Sequence, residues 1–333
     1  MSPARHICVT GGAGYVGSHV CKALSARGHV PVTLDNLSTG SAQNVAWGPL
    51  AQVDLRDSAA VAQVFREHQI TAVLHFAASA YVGESVTDPA KYYDNNVGGM
   101  LSLLKACGKT GVEQLIFSSS CATYGVPAQL PVNEDSPQMP INPYGRSKLM
   151  CEQMLRDMAP QLGLSYAMLR YFNVAGADPD GILRERHDPE THLIPLALMT
   201  AGGQRSEMQI FGDDYDTPDG TCIRDYVHVS DLAKGHLQAL DHLTSGGASL
   251  AVNLGTGRGY SIREVLDMVE RVTGRTVPTR VLPRRPGDPP SLVADATLAA
   301  KQLGFAPRRS DLATIVGDAA RSFGLEAVYA LSA

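Results

Sequence analysis

No Cys-x-x-Cys pair, internal repeat, low-complexity tract or apolar run of membrane-spanning length occurs in this chain of 333 residues. Its six cysteines, Cys8, Cys21, Cys107, Cys121, Cys151 and Cys222, are scattered, several inside apolar runs. That spacing excludes the common zinc and dithiol motifs, and no metal site is expected; the residues read as reduced core thiols of a cytosolic protein. A strong charge of either sign is also missing, since 28 Lys+Arg against 33 Asp+Glu leave a formal net charge of −5. Such a surface sets up no field for nucleic acid or an anionic membrane, so neither is an expected partner and any phosphate must be recognised locally. The stretch from Met1 through Arg5 leads into a short strand and a glycine turn, without the apolar core and cleavage site of a signal peptide. A cytoplasmic location is expected.

What is present begins with alternation. With 44% hydrophobic residues the chain can bury one large core, or one with a smaller lobe attached. Short β-branched runs at 6–9, 30–34, 51–53, 71–76, 114–118 and 166–170 alternate with amphipathic stretches at 15–27, 58–68, 91–107 and 144–161. This pattern predicts an α/β fold, a Rossmann-type doubly wound parallel sheet, over residues 1–175. Beyond Asn173 the texture becomes loop-rich, and residues 176–333 read as a smaller C-terminal substrate-binding lobe. Elements near 226–258 are expected to return to the first lobe: the helix opened by Ser230-Asp231 and the strand Leu250–Leu254. Ser261 followed by Glu264 predicts a capping box for a helix over 262–272.

The first strand runs into Thr10-Gly11-Gly12-Ala13-Gly14-Tyr15-Val16-Gly17, which opens a helix. In that order Gly11 permits a tight turn, Gly14 lets backbone approach a pyrophosphate, and Gly17 lets helix and strand pack closely. The free N–H groups of the helix then face the phosphates. The next strand ends at Leu34-Asp35, about twenty residues past the glycines, where a carboxylate accepts both adenosine ribose hydroxyls and repels a 2′-phosphate. NAD is therefore favoured over NADP. Asp54-Leu55 follows the third strand, where Asp54 reads equally as a holder of adenine or as a helix N-cap.

Tyr144 and Lys148 lie four residues apart at the start of an amphipathic helix, and so on one face. A nearby cation lowers a phenol's pKa from about 10, which would let Tyr144 exchange a proton with a sugar hydroxyl. Such a pair on a bare helix surface would mean little. Ser118-Ser119-Ser120 gives it weight, standing at the carboxyl edge of a strand, where open parallel sheets bind ligands. Ser120 is the candidate for steadying the substrate oxygen; Ser118 and Ser119 read as satisfying backbone groups.

These motifs, with HFAASAYVGES at 75–85, YYDNNVGG at 92–99, NPYGRSK at 142–148, LRYFNVAGA at 169–177, THLIP at 191–195, NLGTG at 253–257 and RRPGDP at 284–289, run over nearly the whole length. The chain resembles the extended short-chain dehydrogenase/reductases and, within them, the UDP-glucose (UDP-galactose) 4-epimerase family. The resemblance implies that Tyr144, Lys148 and Ser120 form the catalytic group. It implies that Phe76 and Ala77 line the nicotinamide ribose channel, that Asn95 helps hold the cofactor strand, and that Tyr15, Val16, Asn36, Ala78, Ser118 and Tyr171 also meet NAD. For the substrate it implies Asn173 at the sugar or diphosphate, His192 and Leu193 against the nucleotide, Arg224, Arg285 and Asp288 on the diphosphate and uridine side, and Gln209, Phe211 and Leu292 nearby. Guanidinium forks suit phosphate oxygens.

The implied reaction takes the carbon-4 hydroxyl proton onto Tyr144 and the hydride onto NAD; the 4-keto sugar then turns and receives the hydride on its other face. A homodimer through the helices near 91–107 and 144–161 is implied too. Two positions depart from the pattern: Ala80 stands where some members carry lysine, and Cys121 where alanine is common, the latter expected to be a buried thiol without a role. A sugar-nucleotide 4,6-dehydratase needs a carboxylic acid beside Ser120, which Ser119 and Cys121 do not supply. A non-catalytic NAD sensor on the same fold would usually lack the tyrosine or the lysine.

Overall fold

A computed structural model describes residues 4–285, 287–325 and 328. The strands in chain order are β1 (His6–Thr10), β2 (Val30–Asp35), β3 (Leu50–Gln52), β4 (Ala72–His75), β5 (Gln114–Ser120), β6 (Ser165–Tyr171), β7 (Asn173–Ala175), β8 (Met208–Phe211), β9 (Ile223–His228), β10 (Leu250–Leu254), β11 (Gly259–Ser261), β12 (Thr279–Leu282) and β13 (Ser291–Leu292). Seven of them form one parallel sheet in the order β10-β6-β5-β4-β1-β2-β3. The order reverses between β1 and β4, and a crevice opens there at the carboxyl ends of the strands.

The sheet is buried because helices cover both faces, which is why its central strands read as continuous apolar runs. On one face Phe65, Leu103, Leu104 and Leu155 come from the helices Ser58–Glu67, Gly99–Thr110 and Pro143–Leu162. On the other, Val20, Leu24, Leu232 and Leu237 come from Tyr15–Ala26 and Val229–Thr244. The last helix and β10 reach this sheet from beyond residue 175, β10 pairing with β6. The remaining strands make smaller sheets: β9 pairs with β7, β11 and β13, and β8 with β12. A separate core of Ile194, Leu198, Val265, Val269, Ile315 and Val316 lies among the helices Leu193–Ala201, Ile262–Thr273 and Leu312–Ser322.

The capping box is present: Ser261 Oγ accepts from Glu264 N at 3.1 Å, and Glu264 Oε2 accepts from Ser261 N at 2.7 Å. The helix expected over 91–107 is present but is not α-helical throughout. A short turn, Pro89–Tyr92, passes into a π-helical stretch, Tyr93–Gly98, before the α-helix Gly99–Thr110. The wider π turn rotates the succeeding α-helical side chains about the axis, a device common beside binding sites. All six cysteines are buried free thiols. Among the described residues no helix is long and apolar enough to cross a membrane.

Candidate active site

The crevice is a cleft of about 700 Å³ walled by the glycine turn, the ends of β2, β4 and β5, the π-helical stretch, β7 and the approach to β13. Gly11 adopts φ +72°, and a Cβ there would lie 2.6 Å from Ala77 N. A Cβ on Gly17 would lie 2.3 Å from Gly11 O, so side chains are excluded where the turn folds onto its helix. Gly14 caps that helix without a side-chain partner, leaving its first N–H groups facing the cleft. Asp35, 8% exposed, is fixed by backbone: Oδ2 accepts from Ala13 N at 3.1 Å and Oδ1 from Leu37 N at 2.8 Å. These features fit an adenosine ribose and pyrophosphate. Tyr15, Val16, Asn36, Leu55, Phe76, Ala77 and Ala78 line the same cavity, and so do Ala80 and Cys121.

Asp54 lines the cavity but does not cap a helix. That task falls to Asp57, whose Oδ1 accepts from Ala59 N and Ala60 N at 3.1 and 3.0 Å. Asp54 is instead gripped by Arg56, through Nε at 3.0 Å and Nη2 at 2.8 Å, which holds its carboxyl well below the usual range. It also accepts from Asn36 Nδ2 at 3.3 Å.

At the centre, Asn142 Oδ1 accepts from Gly145 N at 2.8 Å and Pro143 begins the helix, so Tyr144 and Lys148 project one turn apart beneath β5. Lys148 is 3% exposed; its Nζ donates to Ser118 O at 2.8 Å and lies 5.9 Å from the Tyr144 ring centroid. Burial lowers its pKa to about 8. The expected lowering of the Tyr144 pKa is not what the structure shows. Burial pushes the phenol well above its ordinary value, Tyr171 adds to this, and the Ser120 hydroxyl offsets only part of it. The Lys148 ammonium donates to the Ser118 carbonyl, and burial outweighs what lowers the phenol.

The serine roles also differ from expectation. Ser118 Oγ meets the Tyr171 phenol, and Ser119 Oγ donates to Glu152 Oε1 at 2.6 Å, so both bind side chains. Ser120 Oγ is the one that accepts a backbone N–H, from Ala122 at 3.1 Å, and it alone of the three lines the cleft. Lys148 and Ser118 stand just behind the wall.

Toward its other end the cleft gathers Asn173, His192, Arg224, Arg285, Asp288 and Leu292. Arg224 is ion-paired with Asp288, and Arg285 lies over the Phe211 ring, 4.3 Å from its centroid. Gln209, Phe211 and Leu193 are not brought into the cleft. Side chains alternate along β8, leaving Gln209 exposed; Phe211 lies under Arg285, and Leu193 packs on the C-terminal core. Leu292 belongs to a small cluster with Cys121, Tyr124, Val132, Phe172 and Ala294 and also faces the cavity. The Cys121 thiol is pushed up to about 12 by burial.

Sequence reasoning missed several groups. Asn95 lines the cleft, but its neighbour Asn96 does the clamping: Oδ1 accepts from Ser79 N at 2.8 Å, while Nδ2 donates to Ser79 O and Ser147 Oγ at 3.0 Å each. Tyr81, Glu185 and His187 also form walls. For Glu185 and His187 the one signal was the close spacing of acidic and histidine residues through 185–192.

The model of the NAD dependent epimerase/dehydratase family matches residues 7–255. The UDP-glucose 4-epimerase of Rhizobium meliloti (strain 1021) is 51% identical over 315 residues, 95% of this chain and 96% of that protein. A crystal structure of UDP-glucose 4-epimerase from Brucella ovis in complex with NAD superposes with a TM-score of 0.95 at 57% identity, covering 97% of this chain and 100% of that one. The enzyme of that name from Bifidobacterium longum, in complex with NAD+ and UDP, gives 0.91 at 39% identity over 96% and 98% of the two chains.

Proposed function

This chain belongs to the NAD dependent epimerase/dehydratase family, and we propose from that premise that it is an NAD-dependent 4-epimerase interconverting UDP-glucose and UDP-galactose. The observation that carries the reading is one continuous cleft with the glycine turn and Asp35 at one end, Tyr144 and Ser120 at its centre, and Arg224 and Arg285 at the other. When bound, NAD takes hydride from carbon 4 of the sugar and gives it back to the opposite face of the 4-keto sugar. Tyr144 takes the carbon-4 hydroxyl proton and returns it, while Ser120 holds the same oxygen. Lys148 supplies positive charge on the tyrosine's side of the cofactor ribose. Arg224 and Arg285 grip the diphosphate while the sugar turns between the two transfers. Residues 1–175 with the returning helix and β10 act as the NAD-binding body, and 176–333 as the lobe carrying substrate groups.

The dehydratase reading finds no acid where it needs one. Ser120 is flanked by Ser119 and Cys121, and the carboxylate nearest Ser119, Glu152, is committed to Arg170 at 2.7 Å. A cytoplasmic homodimer belongs to the same proposal. Leu101 and Met150, exposed on the helices Gly99–Thr110 and Pro143–Leu162, support an apolar contact there. Light scattering on the eluted protein gives its mass directly.

Proton NMR of UDP-galactose with the purified protein tests the function: UDP-glucose is expected, whereas a 6-deoxy-4-keto product or no change would overturn it. Asp35→Ala is expected to loosen NAD and to narrow its advantage over NADP, measured by titrating both into nucleotide-free protein. Leu292 leaves more room at the cavity wall than a tyrosine would, so weak turnover of UDP-N-acetyl sugars is expected, and Leu292→Tyr is expected to remove it more than turnover of UDP-galactose. Equal losses with a lower melting temperature would assign Leu292 to packing alone, since overpacking costs roughly 1–3 kcal/mol.

A further inference from the structure

We propose that Glu185, His187, Glu190 and His192 bind a divalent transition-metal ion of the zinc class, which ties the loop between β7 and the helix Leu193–Ala201 together where it lines the cleft. One ligand atom from each of the four lies within 4.8 Å of all the others. His192 Nδ1 is 2.8 Å from Glu190 Oε1 and 3.1 Å from Glu185 Oε1. His187 Nδ1 is 3.3 Å from Glu185 Oε1 and 3.6 Å from Glu190 Oε2. Four ligands held about 2.0–2.1 Å from a central zinc ion stand roughly 3.3–3.4 Å apart along the edges of the tetrahedron. The four histidine–carboxylate separations, which use both Glu190 oxygens, bracket that edge, and every pair lies within 4.8 Å.

Each histidine faces both carboxylates, an arrangement that either two protons or one divalent ion neutralises. Both histidines turn the same nitrogen toward the same two carboxylates, with ring centroids 4.8 Å apart and the rings tilted by 41°, so two imidazolium ions would repel at close range. His187 Nδ1 is buried and has no aligned hydrogen-bond partner among the described residues. Two carboxylates with two neutral imidazoles carry a charge of −2, which one divalent ion cancels without that repulsion. Imidazole and carboxylate together suit zinc and its neighbours rather than the soft ions that thiolates select. With all four positions filled by protein the site is closed, which is the structural rather than the catalytic form.

Its position gives the ion work to do. The Tyr81 ring, on the facing wall, packs against both histidines at 5.8 and 6.2 Å between centroids, and His192 is the residue from which the helix Leu193–Ala201 begins. Removing the ion should therefore loosen the loop at the substrate end of the cleft, raising KM for the UDP-sugar more than it lowers kcat.

The test uses tag-free, full-length protein dialysed against EDTA and then titrated with ZnCl2 by calorimetry, beside the His187→Gln/Glu190→Gln double variant. Wild type is expected to take up about one ion per chain, and the variant to bind at least roughly 100-fold more weakly. Matching titrations for the two proteins, or no saturable uptake by wild type, would overturn the proposal. Zinc-edge X-ray absorption of the reloaded wild type does not depend on how the variant folds. A shell of two imidazoles with oxygens at about 2.0–2.1 Å is expected; sulfur ligands or an all-oxygen shell would overturn the site.

Discussion

Tyr144→Phe is expected to lower turnover of UDP-galactose by roughly 10²–10⁴, the range supplied by a positioned acid–base group, while leaving NAD and UDP-sugar binding nearly intact. The substitution removes one oxygen from a half-buried ring whose packing, edge-on to Tyr92 at 6.4 Å between centroids, is retained. Ser120 stays in place, because its hydroxyl is fixed by Ala122 N rather than by the tyrosine alone. The loss should therefore fall on kcat, read from initial rates at saturating substrate, with KM little changed. A variant that turns over like wild type would remove the phenol from the mechanism. Burial raises the Tyr144 phenol and lowers the Lys148 ammonium to about 8, so the phenolate is favoured by added positive charge beside the ring.

Glu152→Ala is expected to destabilise the protein by about 3–5 kcal/mol, the usual cost of leaving one member of a buried pair without its partner. Glu152 is fully buried and Arg170 nearly so; they meet through Nε at 2.8 Å and Nη2 at 2.7 Å. Arg170 also donates to the Tyr124 phenol at 2.9 Å, which in turn donates to Asn253 at 2.7 Å, joining β6 to β10 and to the loop after β5. Burial alone would raise the Glu152 pKa, but the arginine outweighs it and holds the carboxyl below its ordinary value. A depressed carboxyl adds stability above its unfolded pKa, about 4.3, and that stability is lost as pH falls through the folded value. Urea midpoints should thus separate wild type from Glu152→Gln at neutral pH and converge in acid. Equal midpoints at neutral pH would show that the pair contributes nothing. Because Ser119 hangs from the same carboxylate between Ser118 and Ser120, Glu152→Ala should cost activity as well.

The sheet was legible because its strands are buried on both faces, so short β-branched runs stood out between amphipathic stretches, with ends shifted by a residue or two. Gly11, Gly17 and Asp35 were legible because backbone geometry leaves few alternatives at a turn that presses on Ala77 and on its own helix. The π-helical stretch was not, since Gly98-Gly99 gives no periodic signal and one extra residue per turn is invisible over so short a span. Asp54 stayed open between two readings because the actual cap, Asp57, lies only three residues on; the fold leaves Asp54 on the cleft. The direction of the Tyr144 shift depends on burial by distant segments, which local spacing does not contain. Residues 185–192 met no familiar ligand pattern, and only the folded loop turns their side chains toward one point.

Incubating the purified protein, without added cofactor, with UDP-galactose carrying deuterium at carbon 4 tests most directly whether one bound NAD removes and returns the same hydride. Proton NMR and mass spectrometry of the product should show UDP-glucose with the deuterium still on carbon 4, in a yield many times the protein concentration. Deuterium exchanged for solvent hydrogen, or conversion that stops after one equivalent unless nucleotide is supplied, would contradict it.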